Sequence, residues 1–118
     1  MYRHMLKSKI HRATVTGVEP DYEGSIKLDP LLMDAAAFFN YEQVHVWDIT
    51  NGNRFVTYAI AGEKGSGEVC LNGAAARLVY RGDKIIISSF VSVTEEEAKE
   101  MRPIVVKVGG QNEITEVL

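Results

Sequence analysis

The chain has 118 residues, the length of one ordinary domain, and 46% of them are hydrophobic against 25% charged, a balance typical of soluble globular proteins. Thirteen Lys and Arg against sixteen Asp and Glu leave a formal charge of -3, the wrong sign for a general nucleic-acid surface. A single cysteine, Cys70, excludes an internal disulfide and a cysteine-based zinc site and fits a reducing, cytoplasmic setting.

No apolar run approaches the ~20 residues that a membrane helix needs. Arg3, Lys7, Lys9 and Arg12 precede the first acid, Glu19, which is the bias of a transit peptide. The stretch from Ser8 to Val18 nevertheless alternates and is rich in Thr and Val, so it reads as a strand within the fold. With no repeat or linker, one domain is expected over 1–118.

Strands are expected at Ile10–Val18 and Ser25–Leu28, followed by a helix over Leu31–Phe39 with Asp29 as N-cap and Pro30 in its first turn. Asn51-Gly52, between strands at Gln43–Ile49 and Arg54–Ile60, is a strong hairpin signal. The Gly62 to Gly67 segment fits neither a Walker loop nor a dinucleotide fingerprint, and a hairpin connection to a strand at Glu68–Leu71 is expected there. Asn72 is placed to cap a helical turn through Gly73–Leu78, and Arg81-Gly82-Asp83 precedes a strand at Lys84–Phe90. Thr94 and Glu97 form a capping-box pattern, and Ile104–Val108 reads as the last strand. Many short strands, few helices and no βαβ alternation predict a mainly β chain folded as a small barrel.

Three segments carry possible chemistry. In Tyr22-Glu23-Gly24-Ser25 the plain reading is a polar turn, since Gly65-Ser66 repeats the dipeptide elsewhere. The reactive reading is self-cleavage: a serine hydroxyl attacks the preceding carbonyl, the amide becomes an ester, elimination leaves dehydroalanine, and hydrolysis gives a pyruvoyl ketone. Glycine upstream leaves the attack path open. In a strand, Arg54, Val56, Tyr58 and Ile60 share one face, so a guanidinium and a phenol can serve a carboxylate and a proton, or form the commoner pairing of an exposed Arg beside a half-buried aromatic, while Thr57 falls on the other face. Asn72-Gly73-Ala74-Ala75-Ala76 offers accessible backbone N–H groups, or simply a small-residue helix packed on a sheet. Lys9 and His11 share a strand face, as anion-facing groups or as a solvated strand end. His4, His11 and His45 lack metal-ligand spacing, Cys70 and Trp47 read as packing, and Glu95 to Glu100 reads as a solvated helix face.

Taken in order, MLKSKIHRATVT, YEGSI, VWDITNGNRFVTYAI, NGAAAR, GDKIIISSF and EEEAKEMRP resemble the pyruvoyl-dependent aspartate 1-decarboxylases over nearly the whole chain. The resemblance implies a six-stranded double-psi β-barrel with short helices, and a homotetramer with sites between neighbouring subunits. It implies cleavage between Gly24 and Ser25 into a β chain, 1–24, and an α chain, 25–118, whose Ser25 becomes the pyruvoyl group. Tyr58 matches the family's proton donor, and Thr57, Gly73, Ala74 and Ala75 match substrate-binding positions. Arg54 and Lys9 match groups associated with the substrate's carboxylates, and Asn72, Tyr22 and His11 match site-lining positions. The implied reaction takes L-aspartate to β-alanine and CO2 through a Schiff base with the pyruvoyl group, for pantothenate synthesis. No metal, pyridoxal phosphate, nucleic acid or membrane is implied, and the tail after Val108 carries no assignment. The competing expectation is a non-catalytic β-barrel module, such as a dimeric swapped-hairpin regulator or adaptor.

Overall fold

A computed structural model describes residues 1–118 and is mainly β. Nine strands are present: β1 (Tyr2–Thr14), β2 (Gly17–Glu19), β3 (Ser25–Leu28), β4 (Gln43–Asp48), β5 (Arg54–Ala61), β6 (Val69–Asn72), β7 (Lys84–Thr94), β8 (Ile104–Val108) and β9 (Ile114–Val117). Helix α1 covers Pro30–Ala36, helix α2 covers Glu95–Glu100, and a 3-10 helix covers Gly73–Arg77. The caps follow the local chemistry. Asp29 accepts from the Leu31 N–H with Pro30 in the first turn, and Thr94 and Glu97 exchange both bonds of a capping box.

Three expectations need correction. The first strand starts at Tyr2 and stops at Thr14, and Gly17–Glu19 is a separate strand, because Val15 and Thr16 turn away to bond elsewhere. The tail contains a further strand, β9, paired antiparallel with β8. Gly62 to Gly67 does not connect a hairpin: β5 and β6 are not neighbours, and β3 lies between them, parallel to β5 and antiparallel to β6. Adjacency along the chain carries no record of a strand inserted from 30 residues upstream.

The strand order is β2-β6-β3-β5-β4-β7-β1-β8-β9, with β1 antiparallel to β7 and parallel to β8. This sheet curls, since β1 runs through Val15-Thr16 directly into β2 at the opposite end of the order. The Val15 N–H donates to Asp83 O at 2.9 Å and the Thr16 N–H to Val69 O at 2.8 Å, while the Val69 N–H returns a bond to Thr16 Oγ1 at 2.9 Å. Inside lies one cluster of 18 buried apolar residues, fed by Ile10, Ile26, Leu28, Val44, Val46, Leu71, Ile85 and Ile87 from five different strands, with Leu32 of α1 closing one side.

Side-chain clamps fasten the connections. The Asp29 carboxylate also accepts from the Gly65 and Gly67 N–H groups at 3.0 and 2.9 Å. Burial would raise its pKa, but the three backbone donors outweigh burial and hold it below the ordinary value. Asn112, buried and at φ +60°, donates from Nδ2 to Thr14 O and Gly67 O and accepts the Thr14 N–H, pinning the β8–β9 turn to the barrel.

One clamp is electrostatically unfavourable. Asp48 Oδ1 accepts from the Thr50 and Asn51 N–H groups, while the buried Oδ2 has no donor and Asp83 lies beside it. Burial, then the neighbouring Asp83, raises the Asp48 pKa, so the folded chain holds this proton more tightly than the unfolded chain. That contribution is present below the ordinary carboxylate pKa and is lost as pH rises through the raised one. Asp48→Asn keeps the acceptor and adds a donor toward Asp83, so it should stabilise the fold at pH 7 by about 1 kcal/mol. It should also remove the loss of stability over that window. Urea unfolding of both chains from pH 4 to 7 checks this, and a less stable variant at pH 7 contradicts it.

Candidate active site

Ser25 is the first residue of β3, and Gly24 is the last residue of the preceding loop. On one side Ser25 pairs with Asn72 of β6, and on the other Ile26 pairs with Ala59 of β5. Carrying the parallel β3–β5 register back one residue sets Tyr58 beside Ser25, and two residues sets Thr57 beside Gly24. The Gly24–Ser25 peptide bond therefore enters the sheet between Thr57-Tyr58 and Asn72-Gly73.

Gly73 is the tightest contact at this point. Its φ is +71°, and a Cβ there would lie 2.6 Å from Gly24 Cα and 3.0 Å from Tyr22 O. No L side chain fits that backbone angle and that spacing together. Asn72 was expected to cap the following helix, but its side chain makes no capping bond. It turns to Ser25 instead, donating from Nδ2 to Ser25 Oγ at 3.2 Å, with both residues almost wholly buried, at 4% and 2% exposure.

Tyr22, Ser25, Tyr58 and Asn72 line one cleft of about 410 Å³, joined there by Tyr41 and Lys27. The last two were missed in the sequence. Tyr41 sits at φ +71° with its ring centroid 6.4 Å from that of Tyr58. It is placed by its backbone, whose N–H donates to Ala59 O, and by its neighbour Glu42. The Glu42 carboxylate accepts from Lys7 Nζ at 2.8 Å, from the Phe39 N–H at 2.9 Å and from the Ser89 hydroxyl. Burial would raise its pKa, but the Lys7, Ser89 and Phe39 bonds prevail and hold it below the ordinary value. No motif flags these residues, since the loop reaches β5 only through tertiary hydrogen bonds. Lys27 faces Glu68, its Nζ 3.4 Å from Oε2.

Ala74 and Ala75 follow Gly73 on the 3-10 helix, Ala74 exposed and Ala75 half-buried. The remaining basic residues lie elsewhere. Arg54, at the far end of β5, stacks its guanidinium 4.5 Å over the Trp47 ring. Lys9 and His11 are on β1, beyond β4 and β7 in the order, and neither lines the cleft. They share an outer face with Lys107, which pairs with His11 across β8. Burial, reinforced by Lys9, Arg12 and Lys107, pushes the His11 imidazole below its usual pKa.

The family model described as aspartate decarboxylase matches residues 1–115. The chain belongs to the aspartate decarboxylase family. A protein named aspartate 1-decarboxylase from Syntrophus aciditrophicus (strain SB) is 56% identical over 114 residues, covering 97% of this chain and 98% of that protein. One of the same name from Clostridium botulinum (strain Langeland / NCTC 10281 / Type F) is 59% identical over 110 residues, covering 93% and 87%. Another from Stenotrophomonas maltophilia (strain K279a) is 56% identical over 115 residues, covering 98% and 91%.

The Gly73 contact is directly testable. Gly73→Ala should lose roughly 2 kcal/mol or more of stability through the strained angle and the displaced Gly24 backbone. Ala74→Gly, one residue along and exposed, should cost much less. Urea midpoints for the two variants check the contrast, and equal midpoints would contradict it.

Proposed function

We propose that the chain decarboxylates L-aspartate to β-alanine and CO2 with a pyruvoyl group made from its own Ser25, in the supply of pantothenate. The observation that carries this reading is the placement of the Gly24–Ser25 bond, with a buried serine hydroxyl on Asn72 and Tyr58 one register step away.

Maturation is chemistry of the chain itself. Ser25 Oγ adds to the Gly24 carbonyl carbon, its proton passes to the Ser25 nitrogen, and the C–N bond breaks to leave an ester. Loss of the Ser25 Cα proton then expels the Gly24 carboxylate from Cβ, and water replaces the nitrogen, released as ammonia. Fragments 1–24 and 25–118 result. The residues present fit this group: Ser25 is held at a strand start, Gly73 leaves the space that Gly24 occupies, and the cleft of about 410 Å³ opens beside them. The ketone supplies an electrophile for the substrate amine and an electron sink for the bond that releases CO2.

The other residues bind, orient and move protons. Tyr58, on the cleft wall, is the proton donor to the carbon that loses its carboxylate. Thr57 lies beside Gly24 in register, and Asn72 holds Ser25 Oγ. Gly73, Ala74 and Ala75, which follow Asn72, take the substrate-binding role that the family resemblance implies, and Tyr22 lines the cleft.

Aspartate also brings two carboxylates, whereas Lys27, the cation in the cleft, faces Glu68. Arg54, Lys9 and His11 stand on the outer face of the sheet. A second copy that docks its Arg54 and Lys9 over the cleft would supply the missing cations, the arrangement that a homotetramer with sites between subunits requires. Arg54 presents paired donors in a plane, the geometry that a carboxylate accepts best.

Intact-mass measurement should find 1–24 and 25–118, the larger fragment without a free amine. Ser25→Ala should abolish both cleavage and CO2 release, and β-alanine production by that variant would refute the pyruvoyl reading. Tyr58→Phe should still cleave while turnover falls by roughly a hundredfold or more. For the shared site, co-expressed Ser25→Ala and Arg54→Ala chains should recover activity that neither has alone. Failure to recover it, in mixed oligomers verified by mass, would place each site within one chain.

A further inference from the structure

Cys70 and Asn72 are two residues apart on β6, so their side chains share a face, and both are buried. Cys70 Sγ donates to Asn72 Oδ1 at 3.4 Å, and Asn72 Nδ2 donates to Ser25 Oγ at 3.2 Å. We propose that Cys70 is a positioning residue for Ser25, its thiol proton fixing which end of the Asn72 amide meets the serine oxygen. This inference rests on the reading that Ser25 attacks Gly24.

An amide has nearly the same shape when flipped, so its neighbours decide its orientation. A thiol donates weakly and accepts weakly, but here it meets an oxygen, and its proton is the group that makes the contact favourable. Burial, then the Glu68 and Glu19 charges, push the Cys70 pKa up against the opposing Lys27, so the thiol keeps that proton near neutrality. In the flipped amide the NH2 group would face sulfur, a poor acceptor, and Oδ1 would hold the Ser25 hydroxyl proton.

The orientation matters for the chemistry. With N–H on Oγ, Asn72 stabilises negative charge growing on that oxygen as the hydroxyl proton leaves. The same donor favours elimination, in which the Cβ–Oγ bond breaks and Oγ departs as part of the Gly24 carboxylate. The flipped amide would retain the proton that must leave. Cys70 is therefore more than filler: Val at this position would fill comparable volume without a donor.

The test compares Cys70→Val with Cys70→Ser by the rate at which fragment 1–24 appears. Cys70→Val should slow cleavage on the order of tenfold, the effect of one lost hydrogen bond, and Cys70→Ser should restore it close to the wild-type rate. A second arm uses the Ser25→Ala chain, which cannot cleave, and follows the Asn72 side-chain NH2 signals by NMR. Those signals should move on adding Cys70→Val and hold on adding Cys70→Ser. Wild-type cleavage rates in Cys70→Val, a defect that Cys70→Ser does not rescue, or unmoved Asn72 signals each overturn the role of Cys70. A wild-type chain that stays intact overturns self-cleavage instead, and the NMR arm still decides the Cys70–Asn72 coupling.

Discussion

The contact between the Gly73 and Gly24 backbones is the constraint on which the site depends. A Cβ on Gly73 would sit 2.6 Å from Gly24 Cα, so two chain segments nearly 50 residues apart meet without a side chain between them. That approach seats β3 between β5 and β6 with Ser25 at its first position. It also ends β6 at Asn72, whose amide is thereby aimed at Ser25 rather than at the helix that follows. Strand pairing, burial and side-chain direction at the site all meet at this one close approach.

Holding so close an approach needs a rigid frame. The sheet curls because β1 runs on into β2, and the Thr16–Val69 bonds tie the link between them to β6 around a single apolar core. Asp29 and Asn112 lock the long connections with multiple backbone bonds each, and Glu42 holds the loop that places Tyr41 opposite Tyr58. These polar clamps are buried or half-buried and satisfied, whereas Asp48 with Asp83 is the exception, a carboxyl pair in which one oxygen lacks a donor.

The candidate residues occupy two regions of one outer face. Ser25, Tyr58 and Asn72 lie in the cleft, and Arg54, Lys9 and His11 lie along the same face outside it.

Local chemistry was legible in the sequence where neighbours in the chain are also partners in space. Asp29-Pro30, the Thr94 capping box, the Asn51-Gly52 hairpin and the one-face alternation of Arg54 to Ile60 all appear in the fold. Ser25 and Tyr58 were singled out from their side-chain chemistry and from the order of the motifs, and they share one cleft. The sequence did not reveal that β3 separates β5 from β6, that Asn72 forgoes its cap, or that Tyr41, Lys27 and Glu42 belong to the site. Caps, turns and strand faces depend on residues within about four positions, and the sequence alone determines them. Which strands lie side by side, and hence which side chains meet Ser25, depends on how a common core is buried, and only the tertiary structure decides that.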